Sequence, residues 1–441
     1  MKKILVIMAS FAPNNTSGSI PNTKIIKYLS RLDTDITLIT DAITPDMVID
    51  EKLVPKEMDR IRVLYVKHST LYHCIIGKSR KKATDNGIKL KLKAEHRPIR
   101  MWFVSYIKRV FFAIRSFDWR HNAKQVIRKE LKGETFDIVY SSYPVYEDHQ
   151  VAKYIINSKK ARKWVADFRD PMSYFIFDKY RYTSTLRKQH RIERKADHIT
   201  VVSKGAMDKF RFPDIPEEKL TYIPNGYDPE DYHVNVSSTD STGGKLRLFY
   251  AGTLYFGHRD LTVLFRAISE LAEEGLIDPD YISLEYAGNE WPILQGFAER
   301  YHLLHICTNY GYITRHRVME LLNEIDCSLV CSNNTALDHG VVTGKVFELL
   351  LVNKPIIAVI SGDLSNSELG AIVKDCGAGV VYEEATADTD YPRLKQWLLD
   401  IYREKNATGR IENKQNEEHK LQYSYENIAK RLCSLFDDVL S

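Results

Sequence analysis

Residues 3–32 and 245–275 are built to one plan, and nothing else in the 441-residue chain narrows its fold as much. Each opens with an apolar run, "KILVIMA" or "KLRLFYAG", passes through a loop, "SFAPNNTSGSIPN" or "TLYFGHR", and enters a helical pattern. In the first helix Ile25, Ile26, Leu29 and Leu32 recur at helical spacing; in the second Leu261, Leu264, Phe265, Ile268 and Leu271 do so, with Asp260 placed to cap it. Further apolar runs follow each start: "DITLIT", "IRVLYV", "FDIVYSS", "KWVADF" and "HITVVS", then "ISLEYAG", "DCSLVCS", "KPIIAVIS" and "GAGVVYE". Most are continuous rather than alternating and are separated by helical patterns, which predicts parallel sheets covered on both faces.

The expected fold class is therefore α/β, with two doubly wound Rossmann-like domains facing a cleft. The first spans 1–232 and carries a basic insertion at about 78–132. The polar stretch "HVNVSSTDSTGG" (233–244) is a linker, 245–418 form the second domain, and 419–441 a closing helix. Ligands in such sheets lie beyond the carboxyl ends of the strands. No apolar run is long enough to span a bilayer, and "MKKILVIMASF" lacks a cleavage site. Six cysteines without a C-x-x-C pair fit reduced thiols, with Cys327 and Cys331 in a buried strand; a cytoplasmic protein is expected.

The stretch "HGVVTGKVFELLLVNKPIIAVIS" (339–361) approaches a phosphate-binding loop without being one. Gly340 and Gly344 are separated by three residues rather than four, and Val346 follows Lys345 where a magnesium-binding Ser or Thr belongs. A phosphate site is still physically reasonable. Thr343 is expected to cap a helix running to about Asn353, whose first N–H groups and dipole favour an anion. Lys345 and Glu348 share one face near that end. A carboxylate there is suited to vicinal ribose hydroxyls, so the pair suggests a nucleotide diphosphate; an exposed Lys–Glu surface pair explains the spacing equally well.

These residues resemble the donor-binding segment of GT-B glycosyltransferases, specifically the family-4-like group of bacterial surface-polysaccharide pathways. "FAPNNTSGS", "VADFRDPMS", "YIPNGYD", "YAGTLYFGHRDL" and "YSYENIAKRLCSLF" match further segments in the right order, the last being a helix that crosses back to the first domain. The resemblance implies an N-terminal acceptor domain, a C-terminal nucleotide-sugar donor domain, and retention of anomeric configuration. It places Gly18 and Gly252 in glycine loops, with Gly344 beside Thr343 at the donor, and a functional histidine where His149 stands. It supports Arg259 with Lys345 as the cations on the leaving phosphate, although His258 is an alternative alignment. The family often has two glutamates eight residues apart; Glu348 matches the second, while Gly340 occupies the place of the first, with Asp338 and His339 beside it.

Three Asp-x-Asp triplets, at 33–35, 278–280 and 388–390, read as solvated turns, so no metal site and no cofactor is expected. Catalysis would then rest on fixed cations and N–H dipoles. Asp167, Arg169 and Asp170 end the strand "KWVADF" and would either orient acceptor or donor or form an internal ion-pair network. Gly18 either lets backbone approach the phosphates or simply makes a turn.

The block 78–132 holds seventeen Lys or Arg against four Asp or Glu. In "IRMWFVSYIKRVFFAIRSF" one helical face, ending at Phe117, reads as core, while Arg100, Lys108, Phe111 and Arg115 fall on the other. Such a face suits an anionic membrane surface, or else a helix packed on both sides with its lysines snorkelling; no nucleic-acid module accompanies it. The expected partners are thus a nucleotide-sugar donor, a glycan or lipid-linked acceptor, and the inner membrane face. A nucleotide-sugar epimerase of the same architecture and a non-catalytic nucleotide-sugar-binding subunit are the rival readings.

Overall fold

The computed structural model describes residues 1–44, 47–70, 72, 98–172, 179–210, 212–231 and 244–441, with side chains outside 98–113 and 179–180. Residues 233–243 of the expected linker, the first part of the basic insertion (78–97), and Cys74 lie outside the described residues. The chain divides into two compact units. Unit 1 comprises Met1–Val201, Phe210–Thr221 and Ala429–Ser441; unit 2 comprises Val202–Lys209 and Tyr222–Ile428.

In unit 1 the strands are β1 (Lys2–Ile7), β2 (Thr34–Asp41), β3 (Ile61–Val66), β4 (Phe136–Tyr143), β5 (Ala161–Phe168), β6 (His198–Val201) and β7 (Leu220–Tyr222). They form one sheet in the order β3-β2-β1-β4-β5-β6-β7. Its helices are α1 (Ser19–Leu29), α2 (Pro98–Glu130), α3 (Tyr146–Asn157) and α4 (Lys179–Lys195). The order reverses between β1 and β4, where Val6 is flanked in parallel register by Leu38 and Tyr140. Ile4 to Ile7 are completely buried, as a strand covered on both faces requires. Of the expected α1 stripe, Ile25, Ile26 and Leu29 are buried and Leu32 falls beyond the helix.

Unit 2 begins with the short α5 (Lys204–Met207) and has the sheet β10-β9-β8-β11-β12-β13, whose neighbours all pair in parallel. Its strands are β8 (Leu246–Ala251), β9 (Ile282–Ala287), β10 (Cys307–Gly311), β11 (Cys327–Asn333), β12 (Ile356–Ser361) and β13 (Gly379–Glu383). The helices are α6 (Thr262–Glu273), α7 (Trp291–Arg300), α8 (Arg315–Glu324), α9 (Lys345–Val352), α10 (Glu368–Asp375), α11 (Ala387–Thr408) and α12 (Glu417–Leu421). The sheet separates two apolar layers. Leu264, Phe265, Ile268 and Leu271 of α6 pack on one face, and Val346, Phe347 and Leu350 of α9 on the other. Cys327 and Cys331 are buried core residues, and both are free thiols.

The closing helix α13 (Tyr425–Leu440) starts in unit 2, and its residues from Ala429 onward belong to unit 1. There Lys2 donates to Asp437 at 2.6 Å and to the Cys433 carbonyl at 3.2 Å, and Phe436 meets the Tyr140 ring edge-on at 5.6 Å. The architecture is thus the expected pair of doubly wound sheets with a returning C-terminal helix.

Two local expectations are corrected. The triplet at 388–390 opens α11 rather than a solvated turn: Asp390 is buried, accepting from the Glu383 amide at 2.9 Å and from Thr386 at 2.9 Å, so the helix start and the strand end share its carboxylate. Phe117, expected in the core, is 61% exposed, because α2 presents Trp119, Ala123 and Ile127 inward instead.

Candidate functional site

In unit 2 the strand order reverses between β8 and β11, so the loops after their carboxyl ends splay apart and leave a crevice. A cavity of about 330 Å³ opens there. Its walls combine the end of β8 (Phe249, Ala251, Gly252), the end of β9 (Ala287, Gly288), Tyr312 and Ile313 before α8, Arg315, and Lys345 and Glu348 of α9. Lys345, Glu348 and Gly252, assigned to one site from the sequence, therefore converge on one cavity.

Lys345 is the first residue of α9. Its Nζ donates to the Ala251 carbonyl at 2.7 Å, spanning from the helix start to the end of β8. A Cβ at Gly252 would lie 2.5 Å from that nitrogen and 3.0 Å from the Tyr250 hydroxyl, so a side chain there would displace the ammonium. Though Lys345 carries exposed surface, its ammonium is enclosed by these loops. Burial lowers its pKa first, and the positive charge of Arg259 lowers it further. Arg259 lies across the Tyr255 ring at 4.4 Å, and its Nε has no hydrogen-bond partner among the described residues. Two cations held close together against their own repulsion are electrostatically suited to an anion.

Glu290 fixes the loop that carries Arg259. Its carboxylate accepts from the amides of Leu254 (2.5 Å), Tyr255 (2.9 Å) and Phe256 (3.0 Å). Tyr255 and Phe256 have φ of 51° and 57°, a left-handed turn that these three bonds hold in place. Asp260 accepts from the Thr262 amide at 2.7 Å, just ahead of the position expected for a cap of α6. Tyr286 ties this loop to the next strand by donating to the Gly252 carbonyl at 3.0 Å.

The start of α9 differs from expectation in one respect. Thr343 supplies no side-chain cap, and Gly344, with φ −57° and ψ −20°, already belongs to the first turn. The Thr343 carbonyl accepts from Val346, so the turn starts one residue early. The helix ends where expected, on a left-handed Asn353.

Glu348 has a partner that the sequence did not reveal. Arg315 of α8 donates to its Oε1 from Nε at 3.0 Å and from Nη2 at 2.8 Å, and also lies 3.5 Å from Asp231. Both bonds end on one oxygen, Oε1. Sequence reading also missed Glu290 and Tyr312, whose ring is 82% exposed at the rim.

The remaining residues lie in unit 1. His149 is in the first turn of α3, fully buried rather than in a loop; its Nδ1 meets Ser141 Oγ at 2.8 Å, and burial lowers its pKa to about 3. Asp167 is also buried, accepting from Ser142 (2.7 Å), Thr200 (2.6 Å) and Arg169 (2.9 Å), an internal network at the end of β5. Asp170 is exposed beside it. Gly18 precedes α1 with φ −85°, a conformation open to any residue, and a Cβ there would meet Pro144 at 3.3 Å. Arg115 lies 3.6 Å from buried Asp41; the side chains of Arg100, Lys108 and Phe111 lie outside the described residues.

No protein-family profile matches the chain, and no curated protein matches it. Solved structures do. HepE of Anabaena, solved with UDP, aligns over 99% of this chain and 100% of its own at 12% identity with a TM-score of 0.58. Sucrose-phosphate synthase of Thermosynechococcus elongatus aligns over 100% and 99% at 14% identity with a TM-score of 0.59. The lipopolysaccharide outer core galactosyltransferase WaaB aligns over 99% and 100% at 12% identity with a TM-score of 0.54. The fold is that of the GT-B glycosyltransferases.

Proposed function

We propose that the protein is a retaining, metal-independent glycosyltransferase that moves a sugar from a nucleoside-diphosphate donor to a glycan or lipid-linked glycan acceptor in bacterial surface-polysaccharide synthesis. One observation carries this reading: Lys345, held beside Arg259, and Glu348 one turn further along α9 line the same cavity. The diphosphate lies against Lys345, Arg259 and the first amides of α9, Glu348 Oε2 accepts from the ribose hydroxyls, and the base enters the apolar end near Ile313. A solved structure of the same fold supports a nucleotide-sugar donor: HepE of Anabaena is in complex with UDP and glucose.

In the transfer, the bond between the sugar's anomeric carbon and the β-phosphate oxygen breaks while an acceptor hydroxyl forms its bond on the same face. The departing phosphate oxygen takes the acceptor's proton. No nucleophile–acid carboxylate pair is needed, in contrast with double displacement. Lys345 and Arg259 neutralise charge that grows on the phosphate as the bond lengthens, the interaction that lowers a barrier most effectively in a fixed site. Those two cations make a divalent ion unnecessary for that role. His149 and Asp167, fully buried in unit 1, act as supports rather than as substrate contacts, the Asp167 network fixing the loop that carries Arg169 and Asp170.

The test is to incubate the protein with a panel of nucleoside-diphosphate sugars and follow the donor. Slow release of nucleoside diphosphate, unaffected by a chelator, is the expected result. Isomerised donor would make it an epimerase, and thermal stabilisation without turnover a silent binding subunit. With an acceptor in hand, the anomeric proton coupling of the product reports retention.

A further inference from the structure

The most strongly charged surface of unit 1 is one the donor chemistry does not use. Helix α4 carries Arg181, Arg187, Lys188, Arg191, Arg194 and Lys195, all exposed. At 100° per residue these six fall within an arc of about 140°, one side of the helix. The opposite side is inward: Gln189, Ile192 and Glu193 are buried, and Gln189 anchors the helix by accepting from the Met172 amide at 3.0 Å and donating to Glu193 at 2.8 Å. Glu193 is the single acid of the described helix, and burial raises its pKa to about 8, so it does little to offset the outer charge. Of neighbouring acids, Asp214 engages Arg194 at 3.3 Å and His190 at 2.6 Å at one end.

This face continues onto its neighbours. Lys188 lies over the Tyr146 ring of α3 at 5.7 Å, and the same first turn of α3 is bonded through Glu147 to Ser116 of α2. Beside Ser116, Phe117 is 61% exposed, with Arg120 over its ring at 5.8 Å. Cations in a row, with the exposed Phe117 ring on a neighbouring helix, match a lipid interface, where the charges meet phosphate headgroups and the ring enters the headgroup layer. A nucleic acid would be served by the cations, but the described residues of this face give it no series of rings on which successive bases stack.

We propose that the outer face of α4, with Phe117 beside it, docks unit 1 onto an anionic lipid surface. The inference rests on unit 1 alone and holds whatever the unit 2 cavity binds. The full chain is mixed with phosphatidylcholine vesicles, and with vesicles containing phosphatidylglycerol, at low and high salt, and sedimented. Binding to the anionic vesicles only, weakened by salt, is expected. Arg187→Gln/Lys188→Gln/Arg191→Gln should lower that partitioning about a hundredfold, since each cation near such a surface contributes several-fold. Lys52→Gln/Lys56→Gln/Lys67→Gln removes as much charge from exposed positions elsewhere on unit 1 and should change it less than threefold. Equal partitioning onto neutral vesicles, equal loss in the two triple variants, or retention within twofold by the α4 variant would overturn the proposal. So would tighter binding of an RNA or DNA oligonucleotide than of anionic vesicles, which would reassign the face. Donor-induced thermal stabilisation, read on the same variants, reports the unit 2 site separately.

Discussion

Gly340 is packed directly on Gly205: a Cβ on Gly340 would stand 2.5 Å from the Ala206 amide nitrogen and 2.6 Å from the Gly205 Cα. Its φ is +80°, and both residues belong to unit 2. Lys204 and Gly205 in turn donate their amides to the Glu368 carboxylate at 2.9 and 3.0 Å, and Ser203 caps α5 by accepting from Ala206 at 3.0 Å, which leaves the segment little freedom to retreat.

The missing first acid of the glutamate pair is therefore a packing constraint, and restoring it should fail. Gly340→Glu is expected to destabilise unit 2 by more than about 3 kcal/mol, adding a backbone clash to left-handed strain. Gly340→Ala should already cost about 2 kcal/mol. Chemical denaturation measures both, and a Glu variant as stable as wild type with higher turnover would refute the packing argument.

The Arg315–Glu348 bridge predicts coupling between two residues of which only one meets the donor. Glu348→Gln should raise the donor dissociation constant about tenfold by weakening the ribose contact. Arg315→Met frees the carboxylate to turn and should cost less, about threefold. In the double variant the Arg315 effect should vanish, giving a coupling of about 0.5–1 kcal/mol by isothermal titration. Strict additivity would mean that Arg315 does not position Glu348.

How far these features could be read from sequence depends on how locally they are encoded. The buried strands were legible because each is a continuous apolar run: Ile356–Ile360 are all buried, as such a run dictates. β10 was not, since "CTNYG" at a sheet edge keeps half-exposed polar residues and carries no such signal. The Lys345–Glu348 pair was legible because three-residue spacing fixes a helix face. Arg315 was invisible, being 33 residues from Glu348 on another helix, and Gly205 stands no nearer to Gly340 in sequence terms. Asp388–Asp390 looked like a loop because its helix is polar outside; burial of Asp390 follows from the strand end it must cap, which only the fold brings to it.

Lys345 has its pKa lowered, by burial and then by Arg259, so an arriving diphosphate should restore its proton affinity. Affinity for a nucleoside diphosphate should fall as pH rises through the free protein's Lys345 value, and binding there should take up a proton. Titration calorimetry in buffers of different ionisation heat detects that uptake. Lys345→Met should abolish it and lower kcat/KM at least a hundredfold, as should Arg259→Ala for rate alone. Turnover within twofold of wild type in either variant would remove these residues from the reaction.

His149 makes the acid side of unit 1 stability predictable. Its folded pKa is about 3, against 6.5 when unfolded, because burial disfavours the imidazolium. Between those values the unfolded chain binds the extra proton, so stability contributed by the neutral ring is complete above 6.5 and lost as pH falls towards 3. The loss approaches about 1.4 kcal/mol per pH unit, or roughly 2 kcal/mol at pH 5. Its neighbour Asp148, whose pKa burial raises, acts in the opposite sense, so the wild type alone does not isolate the histidine. His149→Gln keeps a side chain able to bond Ser141 and leaves Asp148 in place. Urea unfolding of both proteins at pH 7 and pH 5 should therefore show the wild type losing about 2 kcal/mol more than the variant. Equal losses would mean that His149 is already charged in the folded protein, and its burial against Ser141 would need another explanation.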